Sequence, residues 1–382
     1  MGLEQTIRKG GKDLRLGVTT GSCAAMAAGA AARMLLSGEL LDRTSLDTPK
    51  GIPVSAPVED TTRGDGWVRC AVTKDAGDDP DVTHGVRVYA TVTRTSDGQV
   101  TVDGGDGVGR VTRRGLDQPV GAAAINRVPR QMIARAVADA CDRYGYDGGL
   151  GVVISIPGGR ELAARTFNPQ LGIEGGLSVI GTTGIVEPMS AQALVDTIEV
   201  ELKVHAAQGV RELLLTPGNY GVQFLADHPA MALRPVVKCS NYLGEALDLA
   251  ALHGFTTVLV VGHVGKLVKV AGGILDTHSR VADGRMELLA LGAALAGGPP
   301  ELLEGILGAV TTDEALDLLT AAGLREPVLD RLLARCDHYL ARRARGALEV
   351  GLSMFSFVHG PLGVSPGGQH ILERWQRDAG DQ

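Results

Sequence analysis

The stretch that decides the fold is residues 190–221, SAQALVDTIEVELKVHAAQGVRELLLTPGNYG. Leu194, Ile198 and Leu202 stand four residues apart, which is the spacing of one face of a helix. Ser190 is suited to cap the start of this helix, and Gly209 to end it. The apolar run 212–215 follows and leads into a turn of glycine and polar residues, so the stretch predicts a helix, a buried strand and a ligand-sized turn.

The same alternation extends on both sides of this stretch. Strands that alternate with helices favour right-handed crossovers and a parallel sheet with helices on both faces. The other apolar runs are 151–156, 177–180, 236–239 and 258–261. Further along, the pattern predicts helices over 285–339, one more strand or a helix over 347–358, and a turn-rich tail over 360–382.

The chain before residue 148 has a different pattern. An alanine-rich helix over 22–37 is followed by short β-type runs between Gly, Asp and Pro turns, and then by a helix over 131–144. The prediction is therefore both α+β and α/β. An N-terminal mixed-sheet α+β domain (1–147) is joined to a Rossmann-like parallel-sheet domain (148–295). A helical C-terminal segment and tail (296–382) follow, and packing of this segment on the first domain is left open.

Composition narrows the class of protein. The 382 residues are 44% hydrophobic, enough for a large core, and a net charge of -7 in mixed-sign segments offers no basic face for nucleic acid. No secretory leader or uncharged membrane-length segment is present, so we expect a soluble, cytoplasmic protein without a membrane partner. Five cysteines lie far apart with no CxxC pair, which argues against a disulfide framework and against a cysteine-rich zinc site.

Four turns carry polar residues where strands are expected to end. Ligands of a parallel sheet bind beyond the carboxyl ends of its strands, where backbone amides and glycines allow close approach. The turns are 181–184 (GTTG), 216–220 (TPGNY), 240–244 (SNYLG) and 262–266 (GHVGK). A structural turn explains any one of them, but four at one edge favour a binding site. None has the spacing of a P-loop, and GxGxxG is absent.

Three other segments could carry chemistry. The run TTGS at 19–22 offers hydroxyls and amides at a helix start, suited to an anion, although ordinary capping is the alternative. The run KDAGDDPDVTHG at 74–85 crowds four carboxylates that need a cation, an ammonium group or amide donors, unless it is simply a solvated loop. The segment 276–285, at the start of a predicted helix, is suited to bind acid groups of a ligand. The alternative is that its side chains only cap the helix and form ion pairs with one another. His263 and His278 lack carboxylate partners at ligand spacing, so no protein-bound metal is expected.

Taken as strings, these segments resemble the cobalt-precorrin-5B C1-methyltransferases (the CbiD family) of anaerobic cobalamin biosynthesis, across nearly the whole chain. Several long motifs in the right order are more specific than a single glycine fingerprint. The matching segments are 17–25, 74–85, 107–110 with 115–116, 124–126 with 128–130, 157–159, 168–190, 216–221, 240–244, 262–266 and 276–285. Ser22 and Val18 are small departures from the family pattern.

The resemblance implies S-adenosylmethionine as methyl donor and a cobalt-containing corrinoid as acceptor. The implied reaction is methylation of C-1 of cobalt-precorrin-5B to cobalt-precorrin-6A, with cobalt present only as part of this tetrapyrrole substrate. A ring carbon attacks the sulfonium methyl in line, so the protein has to orient the reactants and exclude water. No protein nucleophile is needed, and the catalytic residues are left unknown, with His263 as the candidate if a base is used.

Given this chemistry, we expect the turns to share one cleft. The donor site is predicted at Thr182, Thr183, Gly184, Gly218, Asn219, Tyr220, Gly262, His263 and Lys266. The macrocycle site is predicted at Thr19, Thr20, Ser22, Asp75, Asp78, Asp79, Asp81, Ser240, Asn241, His278 and Arg280. Two alternatives stay open: a kinase-like nucleotide-binding enzyme, and a non-catalytic corrinoid-binding protein. The sequence leaves homo-oligomer formation open.

Overall fold

The structure is a computed structural model that describes residues 3–380 of a mixed α/β protein. Its contacts divide the chain into two compact units, Met1–Ser190 (unit 1) and Ala191–Gln382 (unit 2). The boundary expected near residue 148 therefore lies instead at residue 190. The reason is that strand Gly149–Ser155 pairs with strands that precede it, and not with the later parallel strands. Residues 1–2 and 381–382 of the predicted domains lie outside the described residues.

Unit 1 is an α+β unit built around an alanine-rich helix. Its strands are β1 (Thr6–Lys9), β2 (Lys12–Arg15), β3 (Gly17–Val18), β4 (Arg43–Asp47), β5 (Pro53–Pro57), β6 (Glu59–Gly64), β7 (Trp67–Thr73), β8 (Arg87–Thr95), β9 (Val100–Gly104), β10 (Arg110–Val111), β11 (Gly149–Ser155), β12 (Ile173–Glu174) and β13 (Ile185–Val186). Its helices are α1 (Thr20–Ser37), α2 (Arg127–Tyr144), α3 (Gly159–Ala163) and α4 (Asn168–Leu171). Over the described residues the main sheet has the order β6-β7-β8-β11-β9, with only the β11–β9 pair parallel.

Helix α1 is buried nearly all round because its side chains are small. It packs against α2, β7 and β8, and its alanines from Ala24 to Ala32 are inaccessible to solvent. An added Cβ at Gly29 would lie 3.2 Å from the Cβ of Ala136 on α2, so the two helices approach closely. The helix predicted at 22–37 is thus present, but its packing surface is wider than the single stripe that the sequence indicates.

Unit 2 contains the predicted parallel sheet. Its strands are β14 (Glu212–Thr216), β15 (Val236–Lys238), β16 (Thr257–His263), β17 (Glu349–Ser356) and β18 (Gly360–Val364). Its helices are α5 (Ala191–Ala207), α6 (Asn219–Asp227), α7 (Leu243–Leu252), α8 (Val264–Leu267), α9 (Arg285–Leu295), α10 (Pro300–Gly308), α11 (Thr312–Ala321), α12 (Arg325–Ala344) and α13 (Pro366–Gly380), with 3₁₀ segments at Pro229–Met231 and Val268–Gly272. Within residues 191–380 the strand order is β15-β14-β16-β17-β18, and only β18 runs antiparallel to its neighbour.

Both faces of this sheet are covered, as the sequence predicts. Successive side chains of a strand point to opposite faces. Leu213 and Leu215 therefore pack with residues of α5, α7, α9 and α12 in one core, whereas Leu214 packs with Phe224 of α6 and Trp375 of α13 in another.

One expectation about unit 2 was wrong. The chain after residue 360 is a strand and a helix, not a tail: Ile371, Leu372 and Trp375 form the buried face of α13. Its glycines permit close packing, since an added Cβ at Gly368 would lie 2.9 Å from the carbonyl oxygen of Leu352 on β17. The C-terminal segment completes the sheet of unit 2 through the pairing of β17 with β16.

The run 177–180 is not a strand of the parallel sheet. Leu177 and Val179 make single bridges to Val108 and Ile125 within unit 1. As to membranes, none of the helices formed by residues 3–380 is both long enough and apolar enough to cross a bilayer.

Glu201 on α5 gives unit 2 a predictable pH dependence. Burial raises the pKa of Glu201 to about 7, and Lys238 opposes this shift. The folded protein then keeps a proton that the unfolded chain releases near the ordinary pKa, so stability is lost as the pH rises from about 4.5 to about 7. Glu201→Gln should raise the free energy of unfolding at pH 8 by roughly 1–3 kcal/mol, with little change near pH 4, in urea titrations.

Glu199 on the same helix provides the control with the opposite sign. Its pKa is lowered by Lys203 and, to a smaller extent, by His253. Glu199→Gln should therefore be less stable than the parent protein at pH 8. A Glu201→Gln variant that gains nothing at pH 8 would contradict the assigned cause.

Candidate functional site at the carboxyl edge of the parallel sheet

The order of the strands in unit 2 changes direction between β14 and β16. After β14 the chain crosses to β15 on one side, and after β16 it continues to β17 on the other side. Adjacent parallel strands whose connections leave in opposite directions open a crevice at their carboxyl ends, which is where ligands bind in such sheets. The predicted turns 216–220 and 262–266 both lie at this point.

Lys266 ties three of the predicted turns together. Its ammonium group donates to the carbonyl oxygen of Pro217 and to Oδ1 of Asn241, both at 3.0 Å. Burial lowers the pKa of Lys266. An ammonium group has three donors, and the contacts within residues 3–380 use two of them, so one donor is left for a ligand.

The turn after β15 is joined to the predicted helix entry at 276–285. The carbonyl oxygen of Asn241 accepts from the backbone nitrogen of Thr277 at 2.9 Å. The buried Lys269 fixes the same segment by donating to the carbonyl oxygens of Thr277 and Ala282. Ser240 and Asn241 therefore lie beside this segment, on which His278 and Arg280 are exposed.

Two threonine hydroxyls near these turns are buried without a partner. Thr216 ends β14 and is inaccessible to solvent, and Thr277 is 2% exposed. Neither hydroxyl oxygen has a hydrogen-bond partner among the described residues. Buried polar groups are rarely left in this state unless a ligand or water completes them.

His263 stands at the end of β16 among aromatic rings. Its Nδ1 accepts from the backbone nitrogen of Gly265 at 3.1 Å, which caps α8. The ring centroids of Tyr220 and Phe357 lie 6.0 and 5.8 Å from that of His263. Burial lowers the pKa of His263, and Asp313 opposes the shift. Only 3% of the chain is aromatic, so this grouping is informative.

Sequence reasoning missed the contribution of the loop after β17. Phe357 is 49% exposed beside Tyr220, and Ser356 donates to Oδ1 of Asp313 at 2.6 Å. The available signal was an aromatic and polar run, SFVH, directly after an apolar segment. This run was not predicted to form a loop at the site, because residues 347–358 were expected to form either a strand or a helix.

The fourth turn, 181–184, does not lie at this sheet edge. It closes the N-terminal end of α1 inside unit 1: the backbone nitrogen of Gly21 donates to Ile180, and that of Thr19 to Gly184. Thr182 and Thr183 are exposed there, and Gly184 is buried. The expectation that all four turns share one edge was therefore wrong, because the run 177–180 bridges to unit 1 segments and carries the turn with it.

The hydroxyls at the start of α1 act as caps. The backbone nitrogen of Ser22 donates to Oγ1 of Thr19 at 3.2 Å, and Oγ of Ser22 donates to the carbonyl oxygen of Gly184 at 2.8 Å. Thr19, Thr20 and Ser22 are all buried. The anion site expected at this helix start is instead filled by the 181–184 turn and by Pro129, whose Cγ lies 2.8 Å from an added Cβ at Gly21.

The acidic run 74–85 is compensated by the chain itself. Asp75 accepts two hydrogen bonds from the Arg15 guanidinium, which holds the pKa of Asp75 below its usual range. The backbone nitrogens of Arg15 and Met189 donate to Asp78 and Asp79. Asp81 pairs with the buried Lys74. The four carboxylates thus have the ammonium, guanidinium and amide partners that their crowding requires.

Throughout residues 3–380, no three His, Cys, Asp or Glu side chains converge as a metal site would require.

The chain is similar to known proteins over most of its length. The family model described as CbiD matches residues 7–188, and the one described as CbiD, C-terminal domain, matches residues 276–366. The cobalt-precorrin-5B C(1)-methyltransferase of Ruminiclostridium cellulolyticum is 45% identical over 94% of this chain and 94% of that protein. The protein of the same name from Alkaliphilus metalliredigens is 42% identical over 97% of each. A crystal structure of a cobalamin biosynthesis protein (cbiD) from Archaeoglobus fulgidus is 29% identical, covers 73% of this chain and 87% of that one, and has a TM-score of 0.40. This chain belongs to the CbiD family.

Proposed function

We propose that the protein is a cobalt-precorrin-5B C1-methyltransferase, which transfers a methyl group from S-adenosylmethionine to C-1 of the corrinoid to give cobalt-precorrin-6A. The observation that carries this proposal is identity of 45% over 94% of the chain with a relative of that name. The segments that match the family, which occur in the same order along both units, also support it. Neither a kinase-like enzyme nor a corrinoid-binding scaffold would require this set of segments.

We place the methyl donor at the carboxyl ends of the parallel strands of unit 2, whose fold we propose to be Rossmann-like. Its site comprises Gly218, Asn219, Tyr220, Gly262, His263 and Lys266. The backbone at Gly218 suits such a ligand. Gly218 has a φ of 101°, which favours glycine, and an added Cβ there would lie 3.7 Å from Nζ of Lys266. The absence of a side chain therefore leaves the space beside the ammonium group to a ligand. The buried hydroxyl of Thr216 needs a partner at the same point. We leave Thr182, Thr183 and Gly184 out of this donor site, because their turn packs on the start of α1 in unit 1.

The macrocycle site is assigned to the neighbouring segments of unit 2. Ser240 and Asn241 are fixed beside the 276–285 segment, whose exposed Arg280 suits the carboxylates of a tetrapyrrole. His278 holds that segment in shape, since its Nδ1 accepts from the backbone nitrogen of Arg280. The unit 1 residues expected here, namely Thr19, Thr20, Ser22, Asp75, Asp78, Asp79 and Asp81, are assigned structural roles.

The chain's part in the reaction is binding and orientation. S-adenosylmethionine supplies an electrophilic methyl group, and the leaving thioether is neutral, so no side chain has to act as nucleophile. Lys266 and the start of α6 are suited to a carboxylate of the donor, because Lys266 contacts Pro217 just before α6 and the first amides of a helix have no partner within it. Tyr220 and Phe357 provide apolar surface that keeps water from the reacting atoms.

The proposal is tested by anaerobic incubation of the purified protein with methyl-labelled donor and cobalt-precorrin-5B. NMR should find the label at C-1. Magnesium-dependent ATP binding without donor binding would favour the kinase-like alternative. Tight pigment binding without methyl transfer would favour the non-catalytic one.

Lys266→Met should weaken donor binding. The variant loses a charge-assisted hydrogen bond and the clamp on Pro217 and Asn241, so we expect Kd for S-adenosylhomocysteine to rise by about tenfold or more. Isothermal titration calorimetry measures the change, and thermal unfolding separates it from lost stability. Lys203→Met is the matched control, since Lys203 pairs with Glu199 on α5 and should leave Kd unchanged. Equal affinities for the two variants would remove Lys266 from the site.

A further inference from the structure

The hydrogen bond at Nδ1 of His263 decides which ring nitrogen carries the proton. The partner, the backbone nitrogen of Gly265 at 3.1 Å, can only donate. Nδ1 must therefore be the unprotonated nitrogen, and a neutral imidazole then carries its hydrogen on Nε2. Among residues 3–380 no hydrogen-bond acceptor contacts Nε2, so this donor is available to a ligand.

The surroundings keep His263 neutral. Tyr220, Phe355 and Phe357 surround the ring, and each presents an aromatic face or edge to it. Protonation at Nδ1 would place two donors against each other and break the cap of α8. The facing carboxylate, Asp313 of α11, raises the pKa of His263, but burial outweighs this effect and lowers it.

We propose that His263 is a hydrogen-bond donor, through Nε2–H, to a carboxylate of the bound ligand, and that it is not the base of the reaction. The inference rests on the proposed function. It revises the expectation that His263 is the candidate base, because Nε2 already holds a proton and Nδ1 is engaged. A carboxylate is present both in the methyl donor and in the side chains of the macrocycle, and the two sources are separated experimentally.

Two substitutions separate the role of Nδ1 as an acceptor from the role of Nε2 as a donor. His263→Asn keeps an oxygen where Nδ1 accepts from Gly265 but has no group at the Nε2 position. His263→Gln carries an N–H donor to the Nε2 position and gives up the cap. We expect His263→Asn to weaken ligand binding roughly tenfold or more and to melt close to the parent protein. His263→Gln should bind within about threefold of the parent and melt at a lower temperature.

Binding is measured by calorimetry separately with S-adenosylhomocysteine and with cobalt-precorrin-5B. The ligand whose affinity falls in His263→Asn identifies the source of the carboxylate. If His263→Asn binds both ligands as the parent does, or if both variants lose affinity equally, the donor role is refuted. If the parent protein binds neither ligand, the proposed function itself fails, which is a distinct result.

The tautomer gives an independent readout. In nitrogen-15 NMR of the imidazole at pH 8, assigned by difference from His263→Asn, the proton should reside on Nε2. A proton on Nδ1 would overturn the inference.

Discussion

Lys74→Met is expected to lower the free energy of unfolding of unit 1 by about 3 kcal/mol. The Lys74 ammonium group, whose side chain is 1% exposed, donates to Asp81 at 2.5 Å and to Oγ1 of Thr83 at 2.8 Å. Its loss leaves the Asp81 carboxylate in a mostly enclosed position without a cation. Because that carboxylate is 26% exposed, water recovers part of the cost, which places the effect at the lower end of the range for buried pairs.

Urea unfolding at pH 7 measures the change, and hydrogen exchange in peptides covering 74–85 locates it. The double variant with Asp81→Asn removes both charges and should recover part of the loss. Lys50→Met is the exposed control, since Lys50 and Glu187 are each about one-third exposed and should contribute below about 1 kcal/mol. Equal losses for Lys74→Met and Lys50→Met would show that burial does not make the Lys74 pair stronger.

The same pair predicts an acid dependence. Burial tends to raise the pKa of Asp81, but Lys74 and Thr83 outweigh it and lower this pKa below the ordinary value. A depressed folded pKa contributes stability that is present above the unfolded pKa, about 3.9, and is lost as the pH falls through the folded one. The difference between the parent protein and Lys74→Met should therefore shrink below about pH 3.9.

Elements set by local pattern could be predicted from the sequence. The helix over 191–207, the strand after it and the parallel sheet covered on both faces all follow from the periodicity of adjacent residues. The boundary at residue 190 could not be found this way. Strand β11 is as apolar as a parallel strand, and its membership of unit 1 depends on pairing with β8, whose first residue lies 62 positions earlier in the chain.

The candidate site divides in the same manner. Turns 216–220, 240–244 and 262–266 were expected at one edge, and Lys266 joins all three. Turn 181–184 has the same composition, but its place depends on α1, more than 150 residues away. The partner of Asp75 is likewise Arg15, 60 residues distant. Composition shows that a carboxylate needs a partner, but only the fold determines which one.

Gly107→Ala is expected to abolish stable folding of unit 1, or to lower its free energy of unfolding by about 4 kcal/mol or more. Gly107 has a φ of +71°, and an added Cβ would lie 1.7 Å from the carbonyl oxygen of Ile156. The obstacle is backbone, so no side-chain rotation can relieve it. Added Cβ atoms at Gly159 and Gly176 would also collide with the Gly107 carbonyl oxygen, at 2.2 and 2.3 Å, so three segments converge on this residue.

Gly158→Ala isolates the collision from the backbone strain. Gly158 also has a left-handed φ, +78°, but nothing lies within 4 Å of its added Cβ. Both alanine variants adopt an unfavourable φ, at a cost of about 1–2 kcal/mol, and only Gly107→Ala adds the overlap with Ile156. Hydrogen exchange should show lost protection in unit 1 peptides of Gly107→Ala, with unit 2 peptides as the internal reference. Similar protection in the two variants would mean that the segments around Gly107 can separate at little cost, and that their contact does not hold unit 1 together.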